Sequence, residues 1–157
     1  MPGSSAAGFI LGGDLANIQE QIGPVEWHER RGSLEDALLG NQAWIGVVST
    51  VGSAVGFGKT IQSLVYKNRV VTLEFGDART LFRIIVGRGY TGRIGPVLRG
   101  GGLLLLKEMF ELDFNDMDDE FLLLKDGRYI EGVSFLTDYR ASLDHAPDQT
   151  IEYISVR

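Results

Sequence analysis

From residue 43 onward, apolar and polar residues alternate at the two-residue period of a strand. The pattern is cleanest in VVTLEF (70–75). Val71, Leu73 and Phe75 fall on one face and Val70, Thr72 and Glu74 on the other, as a half-buried strand requires. WIGVVST (44–50), TIQSLVYK (60–67) and RTLFRIIVG (79–87) are rich in β-branched and aromatic residues and read as further strands. Lys67-Asn68 and Gly76-Asp77 supply turns between them. In EFLLLKDGRYIEGVSFLTD (120–138), Asp126-Gly127 sits between two apolar runs, the strongest short signal for a hairpin. TIEYISVR (150–157) reads as a last strand.

LLLLKEMFELDF (103–114) fits two periods. Its Leu, Lys, Glu and Met are good helix formers. As a strand it places Leu104, Leu106, Phe110, Leu112 and Phe114 on one face, interrupted by Glu108, and the strand reading is preferred.

Before residue 43 the signals are helical. GDLANIQEQIG (13–23) has Asp14 as an N-cap and Gly23-Pro24 as a stop. SLEDALLG (33–40) offers Ser33 as a cap, Glu35 and Asp36 in the first turn, and Gly40 at the end. About seven strands joined by tight turns predict a mainly β fold, an antiparallel β-barrel or sandwich with one or two short N-terminal helices. Residues 1–32, beginning MPGSSAAG, read as an extended N-terminal arm, and residues 33–157 as a single β-rich domain.

Composition narrows the function classes. A chain of 157 residues buries one core without staples. The 21 glycines lack collagen-like spacing and indicate many turns. With no cysteine, disulfides, thiolate metal sites and cysteine nucleophiles are excluded. His28 and His145 are the only histidines and leave little for a zinc site. No apolar run reaches the ~18 residues of a membrane span. The N-terminal AAGFILGG is preceded by no Lys or Arg, unlike a signal peptide, so the expectation is a protein of the cytoplasm.

The net charge of −6 argues against nucleic acid as the main partner. Its distribution is uneven. Residues 78–107 contain no acid but include Arg79, Arg83, Arg88, Arg93 and Arg99. Glu108, Glu111, Asp113, Asp116, Asp118, Asp119 and Glu120 follow at once. Such opposed patches suit contacts with copies of the same chain or with another protein.

The motifs that resemble chemistry do not withstand spacing. VGSAVGFGKT (51–60) ends like a phosphate loop, but Ser53 stands where the first glycine belongs and Gly52 is one residue early. GRGYTG (87–92) matches G-x-G-x-x-G, yet Gly95 and Pro96 stop the helix that a dinucleotide fold needs. DFNDMDDE (113–120) has Met117 and Asp118 where a calcium loop needs an oxygen ligand and a glycine. His28 and His145 lie in connections without an assigned nucleophile or carboxylate. The expectation is a protein without catalytic residues, cofactor or metal.

DDEFLLLKDGRYIEGVSFLTDYR (118–140) followed by IEYISVR (151–157) resembles the end of small virion proteins of tailed bacteriophages, of the head-closure, tail-completion and baseplate types. These run as a strand, a Gly turn with a tyrosine, a second strand and a terminal strand. The resemblance implies a non-catalytic structural subunit of a ring or tube, held by arm and loop exchange and found in the virion after assembly in the host cytoplasm. Its partners would be copies of itself and other structural proteins. The interface candidates are Phe9, Ile10, Leu11 and Trp27 in the arm, Arg88, Tyr90, Arg93 and Arg99 in the Arg/Gly loop, and Asp116, Asp118 and Asp119 in the acidic turn. Two other classes stand beside this one. One is a small-ligand-binding β-barrel lined by Trp27, Trp44, Phe57 and Tyr90. The other is a small β-barrel enzyme using carboxylates with His28 or His145.

Overall fold

The computed structural model describes residues 4–29, 34–51 and 58–157. In chain order it contains β1 (Ser5–Ala6), β2 (Phe9–Ile10), α1 (Leu15–Ile22), β3 (Trp27–Glu29), α2 (Leu34–Gly40), β4 (Trp44–Val51), β5 (Lys59–Tyr66), β6 (Val71–Phe75) and β7 (Leu81–Val86). These are followed by β8 (Arg93–Ile94), β9 (Val97–Leu98), α3 (Leu103–Lys107), β10 (Glu111–Asn115), β11 (Glu120–Lys125), β12 (Arg128–Thr137) and β13 (Ile151–Val156). Strand accounts for 48% of the described residues and helix for 14%, so the fold is mainly β as expected. The chain forms two compact units, one of residues 8–84 and one of residues 1–7 and 85–157.

In the unit of residues 8–84 the strand order is β7-β6-β5-β4-β3. β4, β5 and β6 are antiparallel neighbours, while β3 joins β4 in parallel, Trp27 opposite Gly46. β6 alternates as the sequence predicts, with Val71, Leu73 and Phe75 buried and Thr72 and Glu74 half-buried. Leu34 and Leu38 of α2 pack on Ile45, Val47 and Val65. The expected Ser33 cap of α2 lies outside the described residues.

The segment read as an arm is folded onto this unit from residue 8 onward. Asp14 caps α1, its carboxylate accepting from the N–H of Ala16 at 2.8 Å, and Gly23 ends the helix at φ 88°. Backbone bonds tie Gly12 to Leu81, Leu15 to Arg79 and Gly46 to Glu26. Leu15 and Ile18 of α1 are buried.

In the other unit β10, β11, β12 and β13 follow one another antiparallel. Asp126 and Gly127 both have positive φ, 53° and 71°, the type I′ geometry that matches strand twist. Opposite positions build an aromatic ladder through Phe114, Phe121 and Phe135. Its rings are 4.9 Å apart in the first pair and 5.5 Å in the second, which is stacked.

Two details correct the sequence reading. Residues 103–107 are helical, and the strand starts only at Glu111. Leu103 and Leu106 are buried while Leu104 and Leu105 are exposed, a three-residue spacing that a strand cannot produce. The Arg/Gly loop also carries a hairpin. β8 and β9 pair around Gly95, whose φ is 56°, and bury Ile94 and Val97. Among the described residues neither unit's strand order returns on itself, so the sheets are open and form no closed barrel.

Candidate interaction surface

A short helix with exposed leucines, α3, lies in the unit of residues 1–7 and 85–157, and backbone bonds fix its position. Gly100 N–H donates to the Ile151 carbonyl at 2.8 Å, and Ile151 N–H returns to the Gly101 carbonyl at 3.0 Å. Leu103 N–H donates to the Gln149 carbonyl at 3.1 Å. Residues 98–101 form a tight turn, with Gly101 N–H donating to the Leu98 carbonyl at 3.0 Å. This anchoring turns Leu103 and Leu106 into the core. It leaves Leu104, Leu105 and Met109 outward, with 56%, 65% and 58% of their surfaces exposed. Leu98 is also exposed. Three large apolar side chains within six residues form a patch of the kind that marks a contact surface.

Behind the patch, the connection between β12 and β13 is fastened by a buried polar side chain. Gln149 is 1% exposed. Its amide N–H₂ donates to the carbonyls of Ala141 at 2.7 Å and Ala146 at 2.5 Å, and its Oε1 accepts from the Thr137 hydroxyl. Asp138 closes the same connection, accepting from the Thr150 N–H at 3.0 Å and the Thr150 hydroxyl at 2.7 Å. Those hydrogen bonds to Thr150 hold the Asp138 carboxyl below its ordinary value.

Charged residues of both signs surround the patch, including exposed Asp148 beside Gln149 at the start of α3. Arg93 on β8 is exposed. Arg99 is half-buried, and its Nε is buried with no hydrogen-bond partner among the described residues. Glu108, just before Met109, and Glu111 and Asp113 beyond it are exposed acids. Asp113 accepts the Tyr129 hydroxyl at 2.6 Å, which pushes the Tyr129 pKa up. Asp116, Asp118 and Asp119 form the exposed turn between β10 and β11. That turn is shaped by Asn115, whose side chain accepts from Met117 N–H at 3.1 Å and donates to Asp118 at 3.0 Å. Met117, at the tip, is 93% exposed. Among the described residues no group of His, Asp or Glu side chains could hold a metal ion.

The other candidates have intrachain roles. In the unit of residues 8–84, Phe9 packs edge-on to Trp44 with ring centroids 5.6 Å apart. Ile10 is exposed and Leu11 half-buried. Trp27 lies flat over Gly46, where a Cβ would come within 2.3 Å of its ring. A pocket of about 250 Å³ is lined by Phe9, Ile10, Asp14, Asn17 and Ile18, among others. In the other unit Tyr90 covers Gly92, and Arg88 is exposed in a turn closed by Tyr90 N–H to the Gly87 carbonyl.

The chemical motifs resolve into ordinary structure where they are described. Val51 pairs with Lys59 in the antiparallel ladder of β4 and β5, so Lys59-Thr60 opens a strand and not the helix of a phosphate loop. Residues 52–57, including Phe57, lie outside the described residues. His28 approaches Glu26 at 3.9 Å. His145 Nδ1 is 2.7 Å from the Ser142 hydroxyl three residues earlier, an exposed contact within a turn.

The sequence reading did not select Leu104, Leu105 or Met109. An unbroken run of four leucines carries no period, so the buried and exposed positions cannot be told apart until the helix is known. Comparison with protein-family models, with curated proteins and with solved structures returns no match to this chain.

Proposed function

We propose that the chain is a non-catalytic structural subunit of a multi-subunit assembly, of the kind that builds the tail, baseplate or head-tail connector of tailed-phage particles. One observation carries the reading: α3 is hydrogen-bonded to its own chain at its start and leaves Leu104 and Leu105, with Met109 just after it, exposed. Exposed apolar side chains cost solubility and are kept where a partner covers them. The resemblance of residues 118–157 to small virion proteins gives the assembly its proposed kind.

The bonds within the chain refine how the subunit would be held. From residue 8 the arm is bonded within its own unit, and the Arg/Gly loop is bonded to Ile151. The proposed contacts therefore run through exposed side chains and not through exchange of these backbones. Copies of itself and other structural proteins are the proposed partners, and the virion is the proposed location.

The test is direct. Particles released by the organism that encodes the chain are purified by density gradient and analysed by quantitative mass spectrometry. The chain is expected in a fixed, multiple copy number per particle. Its absence from particles while present in the lysate overturns the reading.

A further inference from the structure

We infer that the cleft lined by β2 and α1 binds a neutral polyhydroxylated ring, a single pyranose unit of a saccharide. The inference goes beyond the assembly reading and does not depend on it. The cleft lies wholly within the unit of residues 8–84 and has a volume of about 250 Å³. That is below the ~300–1,000 Å³ of sites for drug-sized ligands, so it suits one small ring.

The lining combines two kinds of chemistry. Asp14, Asn17 and Gln21 follow one another at spacings of three and four residues, so they share one face of α1, and all three line the cleft. Phe9, Ile10 and Ile18 supply the apolar part. The chain before α1 approaches the helix closely, since a Cβ at Gly13 would lie 3.1 Å from Ile18 Cδ1 and 3.2 Å from the Ile10 carbonyl oxygen. The Phe9 ring is braced edge-on by Trp44 at 5.6 Å, and Trp44 by Tyr66 at 5.1 Å. The aromatic lining is therefore in place before a ligand arrives, which lowers the cost of binding.

The polar groups are oriented but not used up. Asp14 Oδ1 accepts from the N–H groups of Ala16 at 2.8 Å and Asn17 at 3.4 Å, which fixes the carboxylate. Its Oδ2 has no hydrogen-bond partner among the described residues, and neither have the side-chain amides of Asn17 and Gln21. The cleft thus offers acceptors and N–H donors together, a set that hydroxyl groups match because each can donate and accept.

Charge does not select the ligand. Asp14 is the one charged side chain lining the cleft among the described residues. Exposed Arg79, whose carbonyl accepts from Leu15 N–H beside Asp14, and exposed Glu20, next to Gln21, have opposite signs. An anion would face the Asp14 carboxylate, and a simple cation would leave the N–H donors of Asn17 and Gln21 without an acceptor. A pyranose meets both demands. Its C–H face lies against Phe9 and Ile10, and its hydroxyls reach Asp14, Asn17 and Gln21.

The test is a titration of the nitrogen-15-labelled chain at pH 7, followed by amide chemical shifts. The probes are D-glucose, D-galactose, D-mannose and N-acetyl-D-glucosamine, each to ~50 mM, with choline as the cationic control. At least one sugar is expected to shift the amides of residues 8–21 saturably. The expected Kd is on the order of a few mM, which about a dozen heavy atoms can supply. Asn17→Ala and Gln21→Ala remove exposed side chains, so the spectrum of the free chain is expected to be retained. Each is expected to weaken sugar binding roughly three- to tenfold. Choline is expected to leave residues 8–21 unshifted. The inference is overturned if no sugar gives a saturable shift there, or if binding is unchanged in both variants. Choline bound in the cleft in preference to the sugars assigns the site to cations and overturns it as well.

Discussion

Gln149 shows how much of the patch depends on one side chain that no pattern singles out. Its amide satisfies carbonyls of Ala141 and Ala146, its oxygen takes the Thr137 hydroxyl, and its own carbonyl receives Leu103 N–H at the start of α3. A buried side chain with its donors and acceptors matched is neutral until one member is removed, after which the partners lose both bond and water. Gln149→Ala is expected to destabilise the chain by roughly 2–3 kcal/mol, and Gln149→Glu by at least as much, because it buries a carboxylate facing carbonyls. Urea unfolding followed by fluorescence measures the change. A loss below about 0.5 kcal/mol for both variants would show that the connection between β12 and β13 is held by other means. In the sequence Gln149 is an ordinary polar residue in DHAPDQT. Its role depends on the carbonyls that the fold brings around it.

At the level of elements, legibility followed the locality of the signal. The hairpin at Asp126-Gly127 was readable because turn type and twist are settled by two adjacent residues. Asp14 was readable because a cap acts on N–H groups two and three residues away. The alternation of Val71, Leu73 and Phe75 was readable because one face of β6 is buried. The run of leucines before Lys107 was misread because its faces are decided by distant bonds, from Gly100, Gly101 and Leu103 to residues 149–151. The same bonds order the Arg/Gly loop, whose glycines by themselves argue only for irregularity. Of the candidate surface, the flanking charges could be picked out from composition, but the apolar middle could not.

The hairpin allows a clean measurement of what the turn contributes. Nothing lies within 4 Å of a Cβ added at Gly127, so Gly127→Ala costs only the positive φ of 71°. The expected loss is about 1 kcal/mol, the penalty of a left-handed conformation for an L-residue. Gly46→Ala is the contrasting case, since its Cβ would fall within 2.3 Å of the Trp27 ring and force that ring away. Its loss is expected to exceed that of Gly127→Ala in the same urea experiment, with a change in tryptophan emission that Gly127→Ala does not produce. Equal losses with unchanged emission would mean that Trp27 is not seated on Gly46.

For the whole molecule, the net charge of −6 opposes any contact between copies. Two proteins of this length in contact have centres about 35 Å apart. At ~10 mM salt the screening length is about 30 Å, and a mutual repulsion of roughly 1 kcal/mol survives between the two copies. At ~150 mM salt the length falls to about 8 Å, so the net repulsion disappears and the exposed Leu104, Leu105 and Met109 side chains decide any contact between copies. Self-association through these side chains is therefore expected to tighten as salt rises from ~10 mM. Sedimentation equilibrium at pH 7 across this range measures it. An association that does not tighten with salt would show that these apolar side chains do not carry a contact between copies.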